Sequence, residues 1–234
     1  MSRFTVSEDI FAALPQYCLG VAAARGIDNR APSARIAALL DQEVQTFAET
    51  HDAAGLRELP GLRACREAFQ ALGMNPNKFL CSIEALSKRV CKGGGLPHIN
   101  PLVDLGNALS LRYLLPMGAH DIDRLEDGLQ VRLSTPEDHF LPMGEETPEL
   151  LPAGEPVYVS GHTVKTRRWI WRQSDDGKIT GETSHVFFPI DAFQDVNRGQ
   201  ALQARDELAA LLREVFGCEV VTGFVDREHP EFEF

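Results

Sequence analysis

The tract from Pro97 to Leu125, PHINPLVDLGNALSLRYLLPMGAHDIDRL, constrains the fold of this 234-residue chain more than any other stretch. It reads as a turn, a helix, a Pro-Met-Gly turn and an acidic pair. Asn100-Pro101 predicts the helix start, because Asn accepts from the free N–H groups of a first turn and Pro fits the first helical position. Leu102, Leu105, Leu109 and Arg112-Tyr113 then follow helical spacing, with Asp104 near the positive end of the helix dipole. Pro116-Met117-Gly118 is expected to stop the helix. Gly106 and Asn107 are out of place for plain packing. A Gly inside a helix costs about 1 kcal/mol against Ala, and a buried Asn needs partners.

Before this tract the pattern is mostly helical. Gln16–Ala24 reads as a buried strand and Gly26–Arg30 as a loop. Ser33–Thr50 and Gly61–Leu72 are predicted helices, the second ended by Gly73. Asn75-Pro76-Asn77 is a turn, Ser82–Val90 a helix capped by Ser82, and Gly93–Gly95 a linker without the Lys-Ser/Thr start of a phosphate loop. After Leu125 the character changes. Leu129–Leu133 alternates inward and outward residues, and Glu155–Ser160, Arg167–Arg172 and His185–Phe188 are further strand candidates. A turn at Ser174–Gly177 predicts that Trp169–Trp171 pairs with Lys178–Thr180 as a hairpin. Strand alternation would then put Trp169 and Trp171 on one face and Arg168 and Arg172 on the other. Gln200–Phe216 is a closing helix and Cys218–Phe224 a last strand. Helices, then short strands, then a helix predict an α+β fold. No break in composition marks a second domain, so one domain over residues 1–234 is expected, with the first strand and helix (about 1–58) packed on the rest.

The formal net charge is −11. This argues against sequence-blind nucleic-acid binding, which needs phosphates neutralised by Lys and Arg, and no DNA partner is expected. The cations are nevertheless gathered. Arg63, Arg66, Lys78, Lys88, Arg89 and Lys92 form one cluster, and Lys165, Arg167, Arg168, Arg172 and Lys178 another. Each cluster reads equally as a solvated face or as part of a basic surface for a defined RNA. No apolar run approaches the ~18 residues of a membrane span, and Glu8 and Asp9 stand where an export signal would be basic and then apolar. Five widely spaced cysteines without a C-x-x-C point to reduced thiols in a cytoplasmic protein. No metal-ligand spacing occurs, and no metal or cofactor is expected.

Three motifs in order carry a family resemblance. INPLVDLGNALSLRYLLPMGAHDID (Ile99–Asp123) resembles, without a gap from Ile99 to Asp121, the pattern I-N-N-V-V-D-V-T-N-Y-V-M-L followed by Q-P-x-H-A-F-D in the tRNA-editing domain of the phenylalanyl-tRNA synthetase beta subunit, its third and fourth B modules. SIEALSKRV (Ser82–Val90) and WIWRQ (Trp169–Gln173), followed by KITGET (Lys178–Thr183), are similar to freestanding proteins made of that domain alone. The resemblance spans about Leu59–Val221. It implies a layered α+β domain with a β-sandwich-like core flanked by helices. It also implies a trans-acting deacylase that hydrolyses a mischarged aminoacyl ester, with the acceptor end of tRNA as partner.

Carried over residue by residue, the family's Thr falls on Gly106 and its turn His on Gly118, while Asn107 keeps the family identity. The pocket-floor Ala-Gly falls on Ser160-Gly161, and the family's Glu falls on Thr183, beside Glu182. His120 and Glu182 are the candidate catalytic groups, a donor or base and a carboxylate for the substrate amine. His120 reads equally as an exposed turn histidine, and Glu182 as a solvent-facing acid. Asn107, Gly106, Gly118, Ser160, Gly161, Arg172 and Thr183 are the candidate substrate contacts, and Lys88, Arg89, Lys92 and Arg168 the candidate tRNA contacts. Without the family Thr and His, two alternatives stay open: a module that binds tRNA or an amino acid without catalysis, and a small-molecule hydrolase.

Overall fold

In the computed structural model, which describes residues 2–234, two β-sheets and a set of helices stack in three layers. The chain opens with strand β1 (Arg3–Val6) and a short helix α1 (Glu8–Ala13). β2 (Tyr17–Arg25) follows, buried along nearly its whole length. Three helices come next: α2 (Ala34–Thr50), whose cap Ser33 accepts from the Ile36 N–H, α3 (Pro60–Ala71) and α4 (Ser82–Cys91). The cap of α4 is Cys81, not Ser82. Ser82 is already helical, and its N–H donates to the Ile170 carbonyl, so a tertiary contact takes the place of the expected side-chain cap.

Helix α5 (Pro101–Tyr113) starts as its sequence predicts, with the Asn100 side chain accepting from the Val103 N–H at 3.1 Å. It ends a little sooner than the Pro-Met-Gly turn, because Leu114 adopts a left-handed conformation at the cap. The strands that follow are β3 (His120–Asp121), β4 (Leu129–Leu133), β5 (His139–Phe140), β6 (Glu149–Leu150), β7 (Pro156–Ser160), β8 (Thr163–Arg167), β9 (Arg172–Gln173) and β10 (His185–Phe193). Helix α6 (Arg198–Phe216), β11 (Glu219–Val225) and β12 (Glu231–Glu233) close the chain.

The larger sheet runs β12-β1-β4-β7-β8-β5-β6, with β9 added to β8, and the smaller runs β11-β2-β10-β3. The smaller sheet is the middle layer, and its two-residue period shows why. Tyr17, Leu19, Val21 and Ala23 of β2 pack with Phe4, Leu129, Val131 and Tyr158 of the larger sheet. The alternate residues Cys18, Ala22 and Ala24 pack with Leu102, Leu105 and Leu109 of α5 and Ala204, Leu208 and Leu212 of α6. A strand covered on both faces must be apolar on both faces, which accounts for the unbroken run Cys18–Ala24. Its residues are small because α6 lies close: a methyl on Gly20 would stand 2.8 Å from the Ala201 carbonyl oxygen.

One predicted strand is overturned. Arg167–Arg172 is not one strand: residues 168–171 are the turn between β8 and β9, with Arg168 and Trp169 both at positive φ (49° and 58°). Lys178–Thr180 forms no hairpin with Trp169–Trp171. β9 pairs with β8 instead, and Asn100 donates to the Ile179 carbonyl. Non-glycine residues in the left-handed region cost about 1–3 kcal/mol each and persist only where surrounding contacts impose them. Here Trp169 is driven into the core, wholly buried against Tyr17 and Phe69.

Candidate functional site

Between α5, β3 and the β8–β9 turn the packing opens into a cavity of about 140 Å³. Its wall is mostly apolar, with Leu102, Val103, Met117, Ile170, Ile179 and Pro189 prominent, and Tyr158, His120, Asp191, Asn107 and Gln173 supply polar atoms. Gly106 and Asn107 both line it, which explains two residues that helix stability does not. A methyl on Gly106 would only touch Phe188, at 3.7 Å, so packing alone does not require glycine there. The Asn107 amide makes no hydrogen bond among the described residues, and it is half-buried at the cavity wall.

The floor is Asp191. Strand alternation along β10 puts it on the same face as Phe187 and Phe193, toward the larger sheet. There its Oδ1 accepts from Tyr17 Oη, from Tyr158 Oη at 2.6 Å and from Trp169 Nε1 at 3.1 Å. No hydrogen bond among the described residues uses Oδ2, and no lysine or arginine pairs with the carboxylate. Burial raises the Asp191 pKa to about 6 despite the three donors. The same burial, with the nearby carboxylate, holds both tyrosine hydroxyls protonated well past their ordinary range. An ionised carboxylate held by neutral donors alone is incompletely compensated, and a cationic or donor group entering the cavity would complete it.

His120 stands beside it and corrects the expectation of an exposed turn residue. It is only 2% exposed, stacks on Tyr158 with ring centroids 5.5 Å apart, and its Nδ1 is buried without a partner. Burial, reinforced by Lys165, lowers its pKa to about 3, so the ring is neutral at physiological pH. It is therefore a poor general base near neutrality, and the base role assigned to it from sequence loses support. Gly118, where the family motif has its histidine, lies next to this ring. A methyl there would stand 3.3 Å from His120 Nε2 and 3.1 Å from Pro189.

Of the other sequence-predicted residues, Arg172 also lines the cavity, at its mouth with Trp171. The remaining substrate candidates do not. Glu182 is exposed and pairs with Arg30 at 2.7 Å, which lowers its pKa. Thr183 is buried, donating to Asp121 at 2.7 Å. Ser160 is buried at the end of β7, accepting from the Glu126 N–H, and Gly161 continues into a turn at φ 57° beside Glu126. Ile179 of the KITGET loop reaches the cavity wall, but Glu182 and Thr183 lie outside it, because Asn29, Asn100 and Asp121 tie the loop down through bonds the sequence does not display.

The candidate tRNA contacts divide. Lys88 is bound at 2.7 Å to the buried Glu84, which also holds Arg66. Arg89 donates to the Gly95 carbonyl and lines a shallow cleft that shares Ser82 and Asn107 with the cavity wall. Lys92 is exposed. Arg168 pairs with Glu155 and lies over the rings of Phe79 and Trp171, at 4.2 and 4.8 Å. The two arginines and Trp171 therefore share one neighbourhood, contrary to the predicted split between faces.

Sequence reasoning missed Asp191, Tyr17 and Tyr158. One signal was available: a single acid in the otherwise apolar run VFFPIDAF predicts a buried carboxylate, and buried carboxylates cluster at functional sites.

Among solved structures, the chain is similar to an N-terminal fragment of the phenylalanyl-tRNA synthetase beta subunit from Pyrococcus horikoshii, at 12% identity and a TM-score of 0.45. That similarity covers 93% of this chain and 49% of the fragment, so the chain spans about half the fragment's length. No curated protein matches it. The family model described as the B3/4 domain matches residues 64–217, which runs from within α3 to the end of α6 and takes in every residue of the cavity. The chain belongs to the B3/4 domain family, the module type found in the phenylalanyl-tRNA synthetase beta subunit.

Proposed function

We propose that the cavity receives the side chain of an aminoacyl group esterified to tRNA, and that the protein hydrolyses that ester. The observation that carries this reading is Asp191: a buried carboxylate at the end of a small cavity, with one oxygen saturated by neutral donors and the other uncommitted. Such a floor favours a side chain that brings a hydrogen-bond donor, and a positive charge above all. Tyrosine specificity, the family's editing chemistry, loses support together with the Thr and His that fall on Gly106 and Gly118.

The chemistry asks little of the site. An aminoacyl ester is already reactive, so seating the acyl group and holding water near its carbonyl supplies much of the acceleration. Two observations favour a second reading, binding without hydrolysis: Glu182 lies outside the cavity, and His120 is too weak a base at neutral pH. Both readings are tested by charging tRNAs with a panel of non-cognate amino acids and following ester decay. Acceleration for an amino acid with a donor-bearing side chain, lost in Asp191→Asn, supports the deacylase. Saturable binding of the charged tRNA without ester loss supports the binding module. Neither acceleration nor binding for any pair removes both.

A further inference from the structure

The second basic cluster looks dense in the sequence, but the fold neutralises most of it. Lys165 is buried on Asp176 and the Arg124 carbonyl. Arg167 is held by Glu149 and Glu155, Arg168 by Glu155, and Lys178 by Asp175. Arg172 makes no ion pair and no side-chain hydrogen bond among the described residues, yet it is exposed at the cavity mouth. Its guanidinium lies 5.1 Å from the centroid of the Trp171 ring. Trp171 in turn is held edge-on by Phe79, with centroids 5.0 Å apart. An aromatic ring fixed from behind and an uncommitted cation therefore stand together at the opening of the cavity proposed to take an acyl group.

Resting on the aminoacyl reading above, we propose that this lip seats the terminal nucleotide of an RNA 3′ end. The base stacks on Trp171 in the place that the Arg172 guanidinium now covers, and the displaced guanidinium pairs with the adjoining phosphate. The chemistry matches on both counts. Single-stranded RNA is held by aromatic platforms that take any base face, and arginine pairs with phosphate through two parallel N–H groups. Continuity fixes the direction, because Trp171 and Arg172 line the cavity that would hold the acyl group of that same nucleotide. The acidic balance of the whole chain suits one such end-on contact better than binding along a duplex.

The two tryptophans give the test its readout. Trp169 is wholly buried and Trp171 is not, so a base stacking at the lip quenches Trp171 alone. The probe is a short single-stranded RNA ending in a 3′ adenosine, titrated at two salt concentrations, against the same RNA with an abasic last nucleotide. The expected result is fluorescence quenching by the intact RNA that the abasic RNA and Trp171→Phe both abolish. Arg172→Gln is expected to weaken binding roughly tenfold and to lower the salt slope by about one. Equal affinity of the intact and abasic RNAs, or binding untouched by either substitution, overturns the lip while leaving the cavity reading in place. Failure of every amino-acid amide to bind the wild-type protein, with quenching intact, would instead remove the cavity reading alone.

Discussion

Trp169 and Trp171 are two residues apart and have opposite environments. Trp169 is wholly buried, its Nε1 on Asp191 and its ring edge-on to Tyr17 at 5.3 Å. Trp171 is partly exposed at the cavity mouth, flanked by two arginines. A single turn with two left-handed residues makes the division, sending one indole into the floor and leaving the other on the lip. The cavity therefore has a rigid end built from the core and an adaptable end built from the surface. Under the proposed function, the first selects the acyl group and the second meets the rest of the substrate.

Truncating each indole in turn separates the two environments most sharply. Trp169→Ala is expected to destabilise by about 3–5 kcal/mol, since it opens a void in the core and strips a donor from Asp191. Trp171→Ala is expected to cost about 1 kcal/mol or less. Urea unfolding of the two variants measures both, and equal losses would erase the distinction between floor and lip.

The two titrating groups of the floor are expected to pull stability in opposite directions with pH. His120 has its folded pKa depressed to about 3, so its contribution is full above the ordinary histidine range and is lost as pH falls through it. Wild type should therefore lose on the order of 2–3 kcal/mol relative to His120→Gln between pH ~6.5 and ~4.5. Asp191 has its folded pKa raised to about 6, so its contribution is present below pH ~4 and is lost as pH rises to ~6. Asp191→Asn should remove that opposite slope, of similar size. Melting temperatures across pH 4 to 8 separate the two, and parallel curves for wild type and both variants would mean that neither group is buried as described.

The smallest effect is expected at Glu182. The Arg30–Glu182 pair is fully solvent-exposed, and Glu182→Ala should leave both stability and ligand binding unchanged. A Glu182→Ala protein that folds but no longer binds its ligand would return that carboxylate to the site and move the site outward.

What was legible in the sequence tracks how local the contact is. Asn100 caps α5 through Val103, three residues away, so its role is written in four consecutive residues. The α+β class is legible from the order of helices and strands, and the layered arrangement from the family resemblance. The β8–β9 turn was not, because positive φ is ordinarily announced by Gly or Asn, and here it falls on Arg168 and Trp169. Their conformation is set by Tyr17, Phe69 and Asp191, up to 152 residues away in sequence. Of the candidate residues named from the sequence, Gly106, Asn107, Gly118, His120 and Arg172 line the cavity. Ser160, Gly161, Glu182 and Thr183 were placed by alignment alone and lie elsewhere, while Asp191, hidden in an apolar strand, went unread.

Under the proposed function, a buried, incompletely compensated carboxylate selects the aminoacyl group. Calorimetric titration of lysinamide, argininamide, tyrosinamide and leucinamide into wild type and Asp191→Asn tests it directly. Binding is predicted for an amide whose side chain carries a donor, strongest for a cation, with at least a tenfold loss in Asp191→Asn. Leucinamide binding both proteins equally well, and as tightly as any polar amide, would contradict it.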